Sequence, residues 1–264
     1  AQLHDLASFS DFVLKRRMVG GPARLERFLD EVGAVTRDAE AGDVERLRAM
    51  KAKDLGKPLE AVTLQQWDRS YYIEQYRQQT AKIDQEALRA YFPSLAVRDW
   101  ILAGTEGQYS VRFVPADVPV WHEDVTYYDV VDARSGELLS GIYLDLFPRD
   151  GKYKHAAAFP VRGASRAQDR LPISVLVTNF DRQGLTQSEV GTFFHEFGHG
   201  VHGVLSRTRY VSQAGTSVER DFVEAPSQMF EEWARRPESL ALLQQFCSGC
   251  PQLDAEQIER PDVA

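Results

Sequence analysis

The run His195-Glu196-Phe197-Gly198-His199 constrains this chain more than any other stretch. In an α-helix, positions i and i+4 share a face, so two imidazoles at that spacing converge on one cation. The glutamate between them sits beside such an ion rather than on it, where it can take a proton from water. The flanking residues say that this stretch is helical. Thr186-Gln187-Ser188-Glu189 is a capping box, which predicts a helix starting just there. Val190, Phe193, Phe194, Phe197, Val201, Val204 and Leu205 then recur at helical spacing as one apolar stripe, with His195 and His199 on the opposite side. Such a helix is held by its apolar face and presents its histidines to a cleft.

His202 falls on the histidine face, but roughly 10.5 Å along the axis from His195 at ~1.5 Å per residue. Metal–nitrogen bonds of ~2 Å cannot span that, so His202 is expected to support the site from behind the ligands. A catalytic zinc needs three protein ligands and one open position. The stretch from Asp221 to Trp233 offers the third. Glu224 lies far enough beyond His199 for the first helix to end near Leu205 and a second to return past it, and Pro226 suits that second helix's first turn. By residue type alone Glu219, Asp221, Glu231 and Glu232 remain open as alternatives.

The chain resembles the thimet oligopeptidase / oligopeptidase A family of zinc metallopeptidases. The resemblance rests on His195-Glu-Phe-Gly-His199, Gly215-Thr216 and Asp221-Phe-Val-Glu-Ala-Pro-Ser-Gln228. Upstream, Tyr143-Leu-Asp-Leu-Phe-Pro-Arg-Asp-Gly-Lys-Tyr-Lys-His-Ala-Ala157 and Leu176-Val-Thr-Asn-Phe180 match the same family. It implies one Zn2+ per chain on His195, His199 and Glu224, with Glu196 as general base and Gln228 beside the site. It also implies a zincin-like core that hydrolyses short peptides, and a cytoplasmic setting. Family members carry more helix ahead of the present residue 1. They also carry a later helical segment and a Gly- and Tyr-containing loop facing the metal. A catalytic-region fragment lacking that segment is therefore expected.

The 264 residues carry a net charge of −8, which gives no support for nucleic-acid binding, and no apolar run reaches membrane-span length. Cys247 and Cys250 form a lone C-x-x-C without a second pair or a βαβ context, so two reduced thiols near a helix end are expected.

The chain before Tyr109 reads as helical. One amphipathic helix covers residues 3–18 and a long one follows Pro22, with Leu25, Phe28, Leu29, Val32 and Val35 inward and a possible break at Gly42. Thr63 opens another, whose Trp67, Tyr71, Tyr72 and Tyr76 read as core. Shorter helices cover 84–91 and 95–104. After Tyr109 the period turns strand-like at Val111–Phe113, Val125–Tyr127, Ile142–Leu146, 154–160 and 173–179. Ser135-Gly136 and Asp150-Gly151 read as turns of two successive hairpins.

These readings give an α+β, predominantly helical chain. A helical region covers residues 1–107. A zinc-binding catalytic region covers 108–264, with a small, largely antiparallel sheet beside the H-E-x-x-H helix. By resemblance, His155, Ala156 and Ala157 lie on a sheet edge that can hold an extended peptide by its backbone. Leu240, Leu242, Leu243 and Phe246 form an apolar face with no later apolar segment to bury it, so self-association through it is expected. The competing reading is a truncated zinc-binding module with weak catalysis, which binds peptides or depends on a partner chain.

Overall fold

The computed structural model describes residues 2–81, 87–247 and 249–251. The chain divides into two compact units, residues 1–84 and 85–261 apart from the last three residues. The boundary lies at 84/85 rather than 107/108, because Val97, Trp100 and Ile101 belong to the core of the second unit.

In the first unit the expected helix over 3–18 is a 3-10 turn at Gln2–His4 and a short α1 (Phe9–Leu14), N-capped by Ser8, whose Oγ accepts the Asp11 N–H at 3.1 Å. Helix α2 (Pro22–Leu55) starts on its proline and ends at Gly56, whose φ of +61° suits a left-handed cap. It runs through Gly42 unbroken. One glycine costs only about 1 kcal/mol relative to alanine, less than a 34-residue helix needs to break. Of the residues expected inward Leu25 is half-buried, but Phe28, Leu29, Val32 and Val35 are exposed, Phe28 at 58% and Val35 at 81%, while Leu47 and Ala52 are buried. The next cap is Gln65 with Asp68 rather than Thr63, and α3 (Arg69–Ala81) follows. Of the aromatics expected in the core, Tyr72 is buried, its hydroxyl donating to Asp54 at 3.1 Å, and Tyr76 is half-buried, whereas Trp67, in the turn before α3, and Tyr71 are exposed. Residues 84–86 of the expected helix lie outside the described residues; Ala87–Tyr91 is a 3-10 turn.

The second unit begins with that 3-10 turn, continues into α4 (Ser94–Tyr109) and is built on a five-stranded sheet. The strands are β1 (Val111–Pro115), β2 (Thr126–Asp132), β3 (Leu138–Asp145), β4 (Ala157–Arg162) and β5 (Ile173–Val177), in the order β1-β2-β3-β5-β4. The β2–β3 hairpin turns at Ser135-Gly136, where Gly136 has φ +73°. The second expected hairpin does not form. Asp150-Gly151 does turn the chain, but β4 goes to the far edge and β5 returns between, parallel to β3. The physical reason is burial. Ser174, Val175 and Leu176 form a continuous buried run, as an interior strand requires, while Pro160 and the exposed Phe159 and Val161 suit only an edge. The sheet is thus antiparallel except for the β3–β5 pair.

Helix α5 (Gln187–Val204) lies against β3, β4 and β5. Val190, Phe193, Phe194, Phe197, Val201 and Val204 are all buried, with Trp100 of α4 edge-on to Phe194 at 4.7 Å. Helix α6 (Ala225–Trp233) packs on α5, and α7 (Pro237–Leu243) packs on α4. That last contact corrects the expected open C-terminal face: Leu240 and Leu243 are core residues, Leu242 packs against the core, and Phe246 is the most exposed of the four. The covering element is α4, which precedes this face in the chain. Cys247 and Cys250 are joined as a disulfide, against the expectation of free thiols; the turn after α7 brings their Cα atoms to 5.5 Å, within bridging range. No helix among the described residues is long and apolar enough to cross a membrane.

Candidate metal centre

Helix α5 is anchored where its sequence says it should begin. The Thr186 N–H donates to Glu189 Oε2 at 2.8 Å and the Glu189 N–H donates to Thr186 Oγ1 at 3.2 Å. Arg89 adds a donor to the same carboxylate at 2.7 Å and holds the Gly184 carbonyl at 2.8 Å. With the apolar stripe buried, the rings of His195 and His199 stand edge-to-face at 4.9 Å on the other side.

The second helix reaches them because of two glycines. A Cβ on Gly198 would stand 2.9 Å from Ser227 Cα and 3.1 Å from Phe230 Cβ, so the bare backbone at 198 lets α6 approach α5. Gly215, at φ +54°, folds the intervening loop back so that a Cβ there would stand 2.9 Å from Gly203 Cα. The approach puts Glu224, the residue before α6, over both histidines. Its Oε2 lies 3.3 Å from His195 Nε2 and 3.0 Å from His199 Nε2.

Two imidazole nitrogens and a carboxylate oxygen therefore lie within 4.8 Å of one another, the single such cluster among the described residues. The donor set fits zinc: a tetrahedral site with bonds of ~2 Å has ligand atoms ~3.3 Å apart. Burial raises the pKa of the Glu224 carboxyl, but the Ser227 hydroxyl, donating at 2.9 Å, and the adjacent His199 and His195 outweigh it and hold the carboxyl below its ordinary value. Glu224 is thus an anion ready for a cation.

Glu231 is not in the ligand cluster. Its Oε1 is 2.6 Å from His195 Nδ1, the nitrogen turned away from Glu224, and orients that ring. Sequence reasoning offered Glu231 only as an alternative ligand and did not single out Ser227; both support the cluster from beside it. The signal for both was helical spacing from Glu224, three and seven residues on. Gln228 is exposed, and its backbone N–H donates to the Glu224 carbonyl at 2.9 Å as an ordinary helix bond. His202 is half-buried with its ring edge-on to Phe222 at 6.4 Å. Burial, and then the nearby His199, push its pKa down, so it is a neutral imidazole at neutral pH.

Glu196 points to the sheet. Its Oε2 accepts the backbone N–H of Ala158 at 3.0 Å, which ties the carboxylate to β4. Ala157 pairs with Val177 at the start of β4; Ala156 is half-buried; His155 is exposed, its ring 5.5 Å from that of Tyr153. The connection that delivers this edge is tied down from within. Asp145 at the end of β3 takes Arg149 at 2.7 and 2.8 Å, the Trp121 indole at 2.9 Å and Lys152 at 2.8 Å. Lys152, with 2% of its side chain exposed, also donates to the carbonyls of Asp145 and Phe147. Burial opposes ionisation of Asp145, yet these donors bring its pKa down to about 2. Burial likewise lowers the Lys152 pKa, its pairing with Asp145 offsetting only part.

The same residues carry a family relationship. The family model described as Peptidase family M3 matches residues 1–260. The chain belongs to peptidase family M3. It is 42% identical over 179 residues to a thimet-like oligopeptidase of Dictyostelium discoideum, covering 63% of this chain and 26% of that one. It is 32% identical over 256 residues to oligopeptidase A of Escherichia coli (strain K12), covering 92% of this chain and 37% of the relative. Saccharolysin of Saccharomyces cerevisiae is 31% identical over 252 residues, 88% of this chain and 35% of its own. The chain thus spans about a quarter to two fifths of the length of these M3 relatives.

Proposed function

We propose that this chain forms the zinc-binding catalytic region of an M3 metallopeptidase that hydrolyses peptide bonds in short peptides, on a zincin-like core. The observation that carries the reading is that Glu196, on the same helix as two members of the His195–His199–Glu224 cluster, reaches the edge strand β4 at Ala158. His195, His199 and Glu224 would hold one zinc ion per chain. Zinc, when bound, supplies Lewis acidity that polarises a carbonyl and acidifies water to a pKa near ~7. Glu231 keeps His195 Nε2 aimed at the cluster, and Ser227 keeps Glu224 there. A peptide laid along β4 beside Ala156 and Ala157 is held by its backbone, so recognition is tolerant of sequence. Glu196 lies within reach of that peptide, takes the proton of the attacking water and returns it to the leaving amine.

The test is Glu196→Gln, which keeps the shape and the Ala158 contact but cannot accept a proton. Zinc content by elemental analysis should be unchanged, while cleavage of quenched fluorescent peptides should fall by ~10²–10⁴. Undiminished cleavage would remove Glu196 from the mechanism.

A further inference from the structure

The open edge of β4 is not a uniform template. In an antiparallel ladder, alternate residue pairs exchange both backbone hydrogen bonds, and the residues between them aim their N–H and C=O the other way. Ala158 is paired with Leu176 but gives its N–H to Glu196, so it is one of the residues whose polar groups face away from β5. Two residues on, Pro160 is paired with Ser174 and shares that orientation. Having no N–H, Pro160 presents a carbonyl alone. The register then shifts between Pro160 and Arg162, as a bulge does.

Beyond the bulge the chain is already engaged. The Arg166 and Ala167 N–H groups donate to the carbonyls of Thr208 and Arg209 at 3.0 and 3.2 Å, and a Cβ on Gly163 would meet the Val211 side chain. The edge therefore offers a shared donor and an acceptor at Ala158, and an acceptor alone at Pro160.

We propose that Pro160 is a specificity-determining residue that ends the tract over which an extended peptide is held by main-chain hydrogen bonds. This inference rests on the peptide-hydrolase reading above. A bound peptide donates an N–H to the Pro160 carbonyl, while its own carbonyl opposite Pro160 finds no donor. Residues further along the peptide on that side then gain nothing from the edge. Pro160 blunts the edge against open-ended strand addition in the same way that prolines protect exposed sheet edges generally.

The experiment uses zinc-loaded protein and labelled peptides whose scissile bond is a reduced amide, lengthened one residue at a time in each direction and followed by fluorescence anisotropy. In the native protein, affinity should stop rising on one side once the peptide reaches Pro160. In Pro160→Ala, with a donor restored, peptides long enough to pass that point should bind about 2- to 10-fold tighter, the range of one net hydrogen bond, and shorter ones equally well. N-methylation scanned along the longest peptide tests the native protein without substitution: the methyl should weaken binding opposite the Ala158 and Pro160 carbonyls and have no effect beyond. Equal affinity of long peptides for both proteins, or weakening by methyl groups past Pro160, would overturn the proposal while leaving the peptide-hydrolase reading intact. If no peptide binds either protein, the reading of the edge as a peptide site fails and this inference with it.

Discussion

Helices α2 and α5 carry the same kind of apolar stripe and meet different fates. In α5 the stripe from Val190 to Val204 is buried against the sheet and α4; in α2 the stripe from Phe28 to Val35 is exposed, and burial begins only toward Leu47. Helical periodicity therefore says which residues share a face. It does not say that a partner lies against that face.

Truncation should separate the two helices most. Phe197 is fully buried, and Phe197→Ala should cost about 3–5 kcal/mol. Phe28→Ala should stay within about 0.5 kcal/mol. Denaturant unfolding of both variants checks the pair, and a large loss at Phe28 would break the comparison.

The glycines sharpen it. At Gly198 a Cβ meets the Ser227 backbone, so Gly198→Ala should cost about 1–3 kcal/mol and, by displacing Glu224, weaken zinc binding at least about 10-fold. At Gly42 nothing lies within 4 Å, and Gly42→Ala should stabilise by about 0.4–1 kcal/mol. Zinc competition titration and thermal unfolding read the two effects.

The smallest expected difference is between ion pairs. Asp145 is buried among Arg149, Lys152 and Trp121, whereas Asp68, paired with Lys51 in the first unit, is more open to solvent. A depressed carboxyl pKa contributes stability that is present above the unfolded value near 3.8 and is lost as pH falls through the folded value near 2. Asp145 should thus contribute at most about 2 kcal/mol, lost between pH ~4 and ~2. Acid titration of native protein against Asp145→Asn, with amide exchange resolving the two units, should show this loss in the second unit. An unchanged acid profile in Asp145→Asn would dismiss the role of that cluster.

What the sequence determined by itself is what short-range forces decide. The Thr186 capping box closes within four residues, and the stripe and the two histidines follow from 3.6 residues per turn. These depend on neighbours a few positions away, so the pattern was legible. Tertiary structure decided the rest, because it depends on which distant segments come to rest together. Glu224 and Glu231 are alike as residues. Only the approach of α6 over Gly198 sets one against the Nε2 atoms and the other behind His195. Strand order sent β4 to the edge and left Pro160 facing outward, since β5 satisfied the centre of the sheet better. The face of α7 found α4, more than a hundred residues earlier in the chain, because burying apolar surface rewards contact and not proximity in sequence.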